Sequence, residues 1–489
     1  MADDKASGRA EARAVLNMYS PLSTLVRREP VTVPLEASLR EALVAMEQAR
    51  VSAIVVADPG TRYPLGIFTR GDLLRRVVLP GEPLDQPVAA VMTSGLLTLL
   101  PTATVHHAAL AMAQHGVRHV VLVDAERRLV GIVGQDDVFA LQGAGVREIS
   151  EEIHRATDVA GVRGAAGRIR KLADALLAQG TSAETLTQFM TTLNDLLTLR
   201  IIEQTLDEYD LPTVRLCWIA VGSEGRLEQT FDTDQDNGII FEAAEADADR
   251  IRAALLPFAR AVNQKLAECG FPLCKGNIMA GNPEWCLTTQ EWQRRFADWI
   301  FHPHAQALLN AAIFFDFRPI YGHEELALGL RDWMLKAARG QPVFLRLLAD
   351  NALQCQPAMG TIREFVYDED KRFPHTIDLK MHGSRPYVDA ARVFCLANGV
   401  PFTSTAQRLR AVSEVFDFGT DGLAAVIDGF YFIHRLRLRV QGTPGTAAAA
   451  MNRIDPDTLN DLDRHVLREA FRQGRRLQHR LAFDYRLGV

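Results

Sequence analysis

Paired cysteines are missing from this chain. Its six cysteines, at positions 217, 269, 274, 286, 355 and 395, are scattered and form no Cys-x-x-Cys motif. Cys269 and Cys274 have no suitably spaced partner pair, so neither a disulfide framework nor a zinc site is predicted, and reduced thiols in a cytoplasmic setting are expected. Long apolar runs are also missing. No stretch reaches the roughly 18 residues that a membrane-spanning helix needs, and Met1 to Arg13 lacks the apolar centre of a signal peptide. Nor is there an excess of positive charge. With 54 Lys and Arg against 60 Asp and Glu the net charge is −6, which argues against a general nucleic-acid binder. What remains is a globular composition, 48% hydrophobic and 23% charged over 489 residues, long enough for about three domains.

The first third contains a repeat. Ala45-Met46-Glu47-Gln48 through Asp58 matches Ala111-Met112-Ala113-Gln114 through Asp124 at an offset of 66, and Gly66 to Asp72 matches Gly131 to Asp137 at an offset of 65. Each copy reads as helix, apolar strand, turn, second strand and a helix opening near the Asp, with a short strand (Thr32-Val33, Thr98-Leu99) ahead of it. Ser38 and Thr104 stand at the expected N-caps. His106, His107 and His119 read as surface or packing residues rather than metal ligands.

From Val146 to Tyr209 the pattern turns helical. Leu186, Met190, Leu193, Leu197 and Ile201 share one face, and Gly180-Thr181-Ser182 separates two helices. The basic residues Arg163, Arg168, Arg170 and Lys171 read as a solvated face. A strand-like run, Arg215 to Val221, then leads into the segment Gly222-Ser223-Glu224-Gly225-Arg226-Leu227-Glu228-Gln229-Thr230-Phe231-Asp232-Thr233-Asp234-Gln235-Asp236-Asn237, followed by apolar Gly238 to Phe241. On a strand, Asp234 and Asp236 would project to the same side. Two such carboxylates suit a hard cation that bridges substrate phosphates, and the Gly-Ser turn offers amides and a hydroxyl to the same phosphates. The alternative is an Asx-rich turn between strands, with Asp232 capping it and facing solvent. An amphipathic helix is predicted over 243–268, a strand over 271–279, and a helix from Leu308 towards Phe317. Trp285, Trp292 and Trp299, seven residues apart, are predicted on one helical face as core. The last third is predicted helical, with His434, Arg435, Arg437 and Arg439 solvated or paired locally.

Two resemblances follow from these residues. The repeat over about 19–143 resembles a tandem CBS pair, a regulatory module that often binds adenosine nucleotides. The resemblance implies ribose contacts at Asp72 and Asp137, a helper hydroxyl at Thr69 (Gly134 stands at the equivalent place), and phosphate contacts at Arg118 and His119. Plain helix capping by Asp72 and Asp137 is the alternative. The string Gly-Ser-x-Gly-Arg-x-Glu…Thr-Asp-x-Asp-Asn resembles the nucleotidyltransferase superfamily. It is closer still to the bacterial uridylyltransferases that modify the P-II protein, and to their relatives fused to CBS domains (DUF294 type). That resemblance implies Mg²⁺ or Mn²⁺ on Asp234 and Asp236, and an NTP held by Gly222, Ser223, Gly225 and Arg226, with Glu228 orienting Arg226. Asp378-Leu379-Lys380-Met381-His382-Gly383-Ser384-Arg385-Pro386 resembles a loop of the same enzymes, placing Lys380 and Arg385 either at phosphates or in internal ion pairs. The superfamily's third carboxylate has no counterpart between Lys275 and Ala280, with Glu284 and Asp316 as substitutes.

The expected fold is α+β and multidomain: an N-terminal tail (1–18), a CBS pair (19–82 and 83–145), a helical segment (146–212), a palm-like mixed sheet with helices (213–341) and a C-terminal helical bundle (342–489). The expected function is transfer of a nucleoside monophosphate from an NTP to a P-II-like protein or small-molecule acceptor, tuned by AMP or ATP at the CBS pair of a homodimer. No membrane and no nucleic-acid partner are expected. A catalytically inactive nucleotide sensor is the alternative, and NTP hydrolysis without an acceptor a third.

Overall fold

The computed structural model describes residues 18, 20–26, 28–139, 144–360, 364–413, 419–443 and 445–487. The expected tail falls outside them except for Met18. The chain divides into two compact units, one up to Arg147 and one from Glu148.

In the first unit both repeats build the same three-stranded sheet. β1 (Thr32–Val33) runs parallel to β2 (Ala53–Ala57), which pairs antiparallel with β3 (Pro64–Thr69). In the second copy β4 (Thr98–Leu99), β5 (His119–Val123) and β6 (Leu129–Gly134) repeat that order. Even the irregularities match: the register slips between Val56 and Ala57 in one copy and between Leu122 and Val123 in the other. Period two sorts β2 into two cores. Ile54 and Val56 pack within their own copy, while Val55 and Ala57 pack with Val121, Val123 and Leu129 of the other. Both faces of the strand are buried, which is why it reads as a continuous apolar run. Ser38 closes a capping box with Glu41 ahead of the helix Leu39–Ala49, and Thr104 accepts from the His107 amide ahead of Val105–Gln114.

The second unit is built around a four-stranded sheet. β7 (Leu216–Ala220) pairs antiparallel with β8 (Asn237–Phe241) and with β10 (Arg318–Gly322), and β8 pairs parallel with β9 (Cys286–Thr288). The helices Val159–Ala178 and Ala183–Leu206 precede it, the second capped by Ser182. Helix Ala183–Leu206 is buried nearly all round, as befits a core helix. Cys217, Ile219 and Ile240 of the sheet share one apolar core with Phe394, Phe430 and Leu477 of the C-terminal helices. The architecture is α+β with a helical C-terminal part, and no described helix is long and apolar enough to cross a membrane.

Three sequence expectations change here. No strand forms over 271–279; Asn277, at φ 54°, turns the chain instead, and the next strand is β9. Trp285 is not on a helix with the other two tryptophans: it ends a 3-10 turn, and the helix Thr289–Phe301 carries Trp292 and Trp299. All three are still core, Trp285 stacking on Trp292 at 6.1 Å. The helix expected from Leu308 to Phe317 stops at Phe314, because Arg318 opens β10.

Candidate functional site

The Gly-Ser turn is a short helix, Gly222–Gly225, directly after β7. Its glycines are structural necessities. Gly222 has φ 59°, and a Cβ there would stand 2.7 Å from Asp236 Oδ2. At Gly225 a Cβ would lie 1.7 Å from the Asp316 carbonyl oxygen. These close approaches let the Val221 amide donate to the Asp236 carbonyl at 2.9 Å, bringing turn and acids together. Ser223 is half-exposed beside them.

Asp234 and Asp236 do not lie on the strand as expected; β8 begins at Asn237, one residue later. Alternation still operates. The Gln235 amide donates to the Pro272 carbonyl (3.0 Å), and its side-chain nitrogen to the carbonyls of Asn263 (2.9 Å) and Phe271 (2.8 Å). Asn237 Oδ1 accepts from the Ala280 amide at 2.8 Å. The residues between and after the acids thus pin segment 271–280, and that segment delivers Cys274. One donor atom each from Asp234, Asp236 and Cys274 lie within 4.8 Å of one another.

Burial and the neighbouring Asp234 charge push the Asp236 carboxyl up to about 6, against the pull of the Cys274 thiol, Lys380 and Arg226. Burial lifts the Cys274 thiol to about 11, with the Asp236 charge adding to it. Glu224, buried near Asp195, is pushed up to about 8. Asp234 and Asp236 make no salt bridge among the described residues. That donor set fits a divalent metal ion, which would sit on Asp234 and Asp236.

The other predicted residues are placed as follows. Arg226 donates to Glu228 Oε2 and to Asp316 Oδ2, both at 2.9 Å, and Glu228 Oε1 in turn accepts from the Thr405 amide at 2.7 Å. Asp316 is no spare carboxylate. It also accepts from Arg392 (2.6 and 3.1 Å) and Arg408 (2.7 Å). Burial alone would raise its pKa; the guanidiniums of Arg392, Arg408 and Arg226 instead hold it well below the usual range. Glu284 is exposed and paired with Arg295 at 3.1 Å. Lys380 is exposed, makes no salt bridge among the described residues, and acts electrostatically on Asp236. Arg385 pairs with Asp389 at 3.2 Å. Asp232 is exposed, its amide donating to Gln441 Oε1 at 3.2 Å.

Two residues expected at the surface turn inward. Arg435 and Arg439 pair with Asp463 at 2.8 and 2.7 Å, but His434 and Arg437, on another face of the helix Gly419–Gly442, are buried. Neither ring nitrogen of His434 has a hydrogen-bond partner among the described residues. Arg437 bonds Asn452 Oδ1 at 2.9 Å and has no salt bridge there; burial and the charge of nearby Arg226 lower its pKa to about 10. The spacing of 434, 437 and 441, with Gln441 also buried, was the signal: i, i+3, i+7 is one helical stripe.

In the first unit, Thr69 and Asp72 form a reciprocal capping box, Thr69 Oγ1 donating to Asp72 Oδ2 at 2.7 Å. Asp72 is buried and also lies 3.6 Å from Arg76. Its counterpart Asp137 is exposed and accepts from the Gly134 amide at 2.9 Å. His119 Nε2 lies 3.3 Å from Ser52 Oγ of the first copy, and Arg118, exposed, lends its carbonyl to the Gln135 amide at 2.8 Å.

The sequence matches families in all three parts. Residues 22–79 and 88–143 match the CBS domain, residues 167–306 the family described as "Putative nucleotidyltransferase DUF294", and residues 342–485 its "Putative nucleotidyltransferase substrate binding domain". The chain belongs to the CBS-domain proteins of the DUF294 nucleotidyltransferase-type family. Among relatives of this CBS–DUF294 protein, the CBS domain-containing protein YhcV of Bacillus subtilis is 31% identical over 25% of this chain and 86% of its own length. An uncharacterized protein of Methanopyrus kandleri, MK0525, is 29% identical over 27% of this chain and 67% of its own. A CBS domain protein from Pyrobaculum aerophilum, solved in complex with AMP, is 33% identical over 24% of this chain and 89% of that chain, with a TM-score of 0.23.

Proposed function

We propose that the second unit transfers a nucleoside monophosphate from an NTP to an acceptor, in the manner of the P-II uridylyltransferases, and that adenine nucleotide at the CBS pair tunes it. The observation that carries this reading is the meeting of Asp234 and Asp236 beside a turn that has no room for a side chain at Gly222 or Gly225. These two carboxylates would hold Mg²⁺ or Mn²⁺. Such an ion supplies charge stabilisation to phosphoryl oxygens. The chain's own residues do the rest. The turn at Gly222 and Ser223 receives the triphosphate, with Gly225 allowing the close approach of the turn to the Asp316 backbone. Lys380 reaches the same centre as a point charge. Arg226, braced by Glu228, contributes positive potential without leaving its ion pairs, and the buried cation Arg437, which makes no direct salt bridge among the described residues, adds to it. An acceptor hydroxyl oxygen bonds to the α-phosphorus, the bond from that phosphorus to the bridging oxygen breaks, and pyrophosphate leaves with that oxygen while the hydroxyl proton passes to solvent.

At the CBS pair the exposed carboxylate of Asp137, with Arg118 and His119, is better placed for a nucleotide than Asp72, which is engaged by Thr69. A cytoplasmic homodimer joined through CBS modules, with a P-II-like acceptor, completes the reading. One observation favours a second: Asp316 is consumed by three arginines and Glu284 by Arg295, so the acceptor lacks an evident base, and both units would then bind nucleotide and signal without transfer. Incubation with each α-labelled NTP, Mn²⁺ or Mg²⁺ and cell extract tests the choice. Label on an acceptor that vanishes in D234N and D236N supports transfer; nucleotide binding with no label in any product supports the sensor.

A further inference from the structure

We propose that Cys274 is the third donor of the Asp234–Asp236 centre, and that the centre therefore selects a borderline divalent ion such as Co²⁺ or Zn²⁺ over Mg²⁺. This rests on the reading that the two aspartates hold a cation. The donors are mutually within 4.8 Å, close enough for small side-chain rotations to bring all three onto one shared ion. Position is the second argument. Cys274 is not a stray thiol: its carbonyl accepts from the Asn277 amide at 2.9 Å, Gln235 clamps Pro272 on one side of it, and Asn237 clamps Ala280 on the other. The same residues that frame the acids set the distance to the sulfur. The other five cysteines are buried, and Cys274 alone is partly exposed. Chemistry supplies the third argument. Mg²⁺ demands oxygen donors, while a thiolate favours softer ions, and a thiol that coordinates such an ion releases its proton to solvent.

The metal-free full-length chain is titrated with Co²⁺, following the near-ultraviolet thiolate-to-cobalt charge-transfer band and, separately, calorimetric binding. The wild type should show the band, and Zn²⁺ should displace Co²⁺ at far lower concentration than Mg²⁺. C274S should lose the band yet still bind Co²⁺, more weakly by at least about tenfold, since even outer-shell partners matter that much. C274D should keep the site and turn its preference towards Mg²⁺. A wild type that binds Co²⁺ without the band, or a C274S variant with unchanged affinity and ion order, overturns the role of Cys274. If D234N and D236N bind Co²⁺ as the wild type does, the aspartate reading fails as well.

Discussion

Asp316 and the pair Asp234–Asp236 are acids of the same unit with opposite surroundings. Asp316 is wholly buried, yet Arg226, Arg392 and Arg408 all contact it, and its charge is held. Asp234 and Asp236 are only half-buried, yet their cations, exposed Lys380 and the committed Arg226, stand off, and Asp236 is pushed up towards neutrality. A carboxylate matched by the chain's own guanidiniums ties distant segments together: three arginines join the Gly-Ser turn to the C-terminal helices through one carboxyl. A carboxylate pair left short of positive charge awaits an ion from outside.

The contrast can be broken by mutation. Asp316→Asn should leave three guanidiniums without their shared anion and cost about 3–5 kcal/mol in urea-induced unfolding. Asp234→Asn removes a repulsion, so without metal it should change stability by less than about 0.5 kcal/mol or raise it. Equal losses in the two variants would erase the distinction.

Acidity sharpens the same contrast. A pKa raised in the folded state means that the native chain binds more protons than the unfolded one, so stability falls as pH rises. For Asp236 the window runs from its ordinary 3.8 to about 6; for Glu224 it runs from 4.5 to about 8. Metal-free protein should therefore lose stability between about pH 4 and 8, and Asp236→Asn should remove the part below about 6. A profile in D236N superimposable on that of the wild type would contradict this. The smallest effect lies in the first unit, where Asp72 is buried in its capping box and Asp137, bonded only by the Gly134 amide among the described residues, is exposed. Thr69→Ala should cost about 1 kcal/mol by opening the capping box, whereas Asp137→Asn should leave thermal unfolding nearly unchanged.

Much of this was legible in the chain. The repeat foreshadowed both CBS sheets, and Ser38 and Thr104 marked helix starts because capping is local chemistry. The Gly-Ser turn and the two acids were visible because their constraints lie within 15 residues of one another. Contacts made across the fold were not. Nothing near Asp316 announces Arg392 or Arg408, which reach it from helices more than 70 positions later. Segment 271–280 has the apolar look of a strand, but the side chains of Gln235 and Asn237 take up its backbone groups and bend it into the loop that carries Cys274. Arg437 turns inward while Arg435 and Arg439 stay partly exposed, because residues two apart on a helix face opposite sides.

Thermal unfolding of the full-length protein, first stripped of metal and then titrated with Mn²⁺, addresses the central claim directly. The wild type should gain about 2.7 kcal/mol of stability at a hundredfold excess over the dissociation constant, while D234N and D236N gain little. A wild type indifferent to Mn²⁺, or variants that respond as fully as it does, would show that these aspartates are not a metal centre.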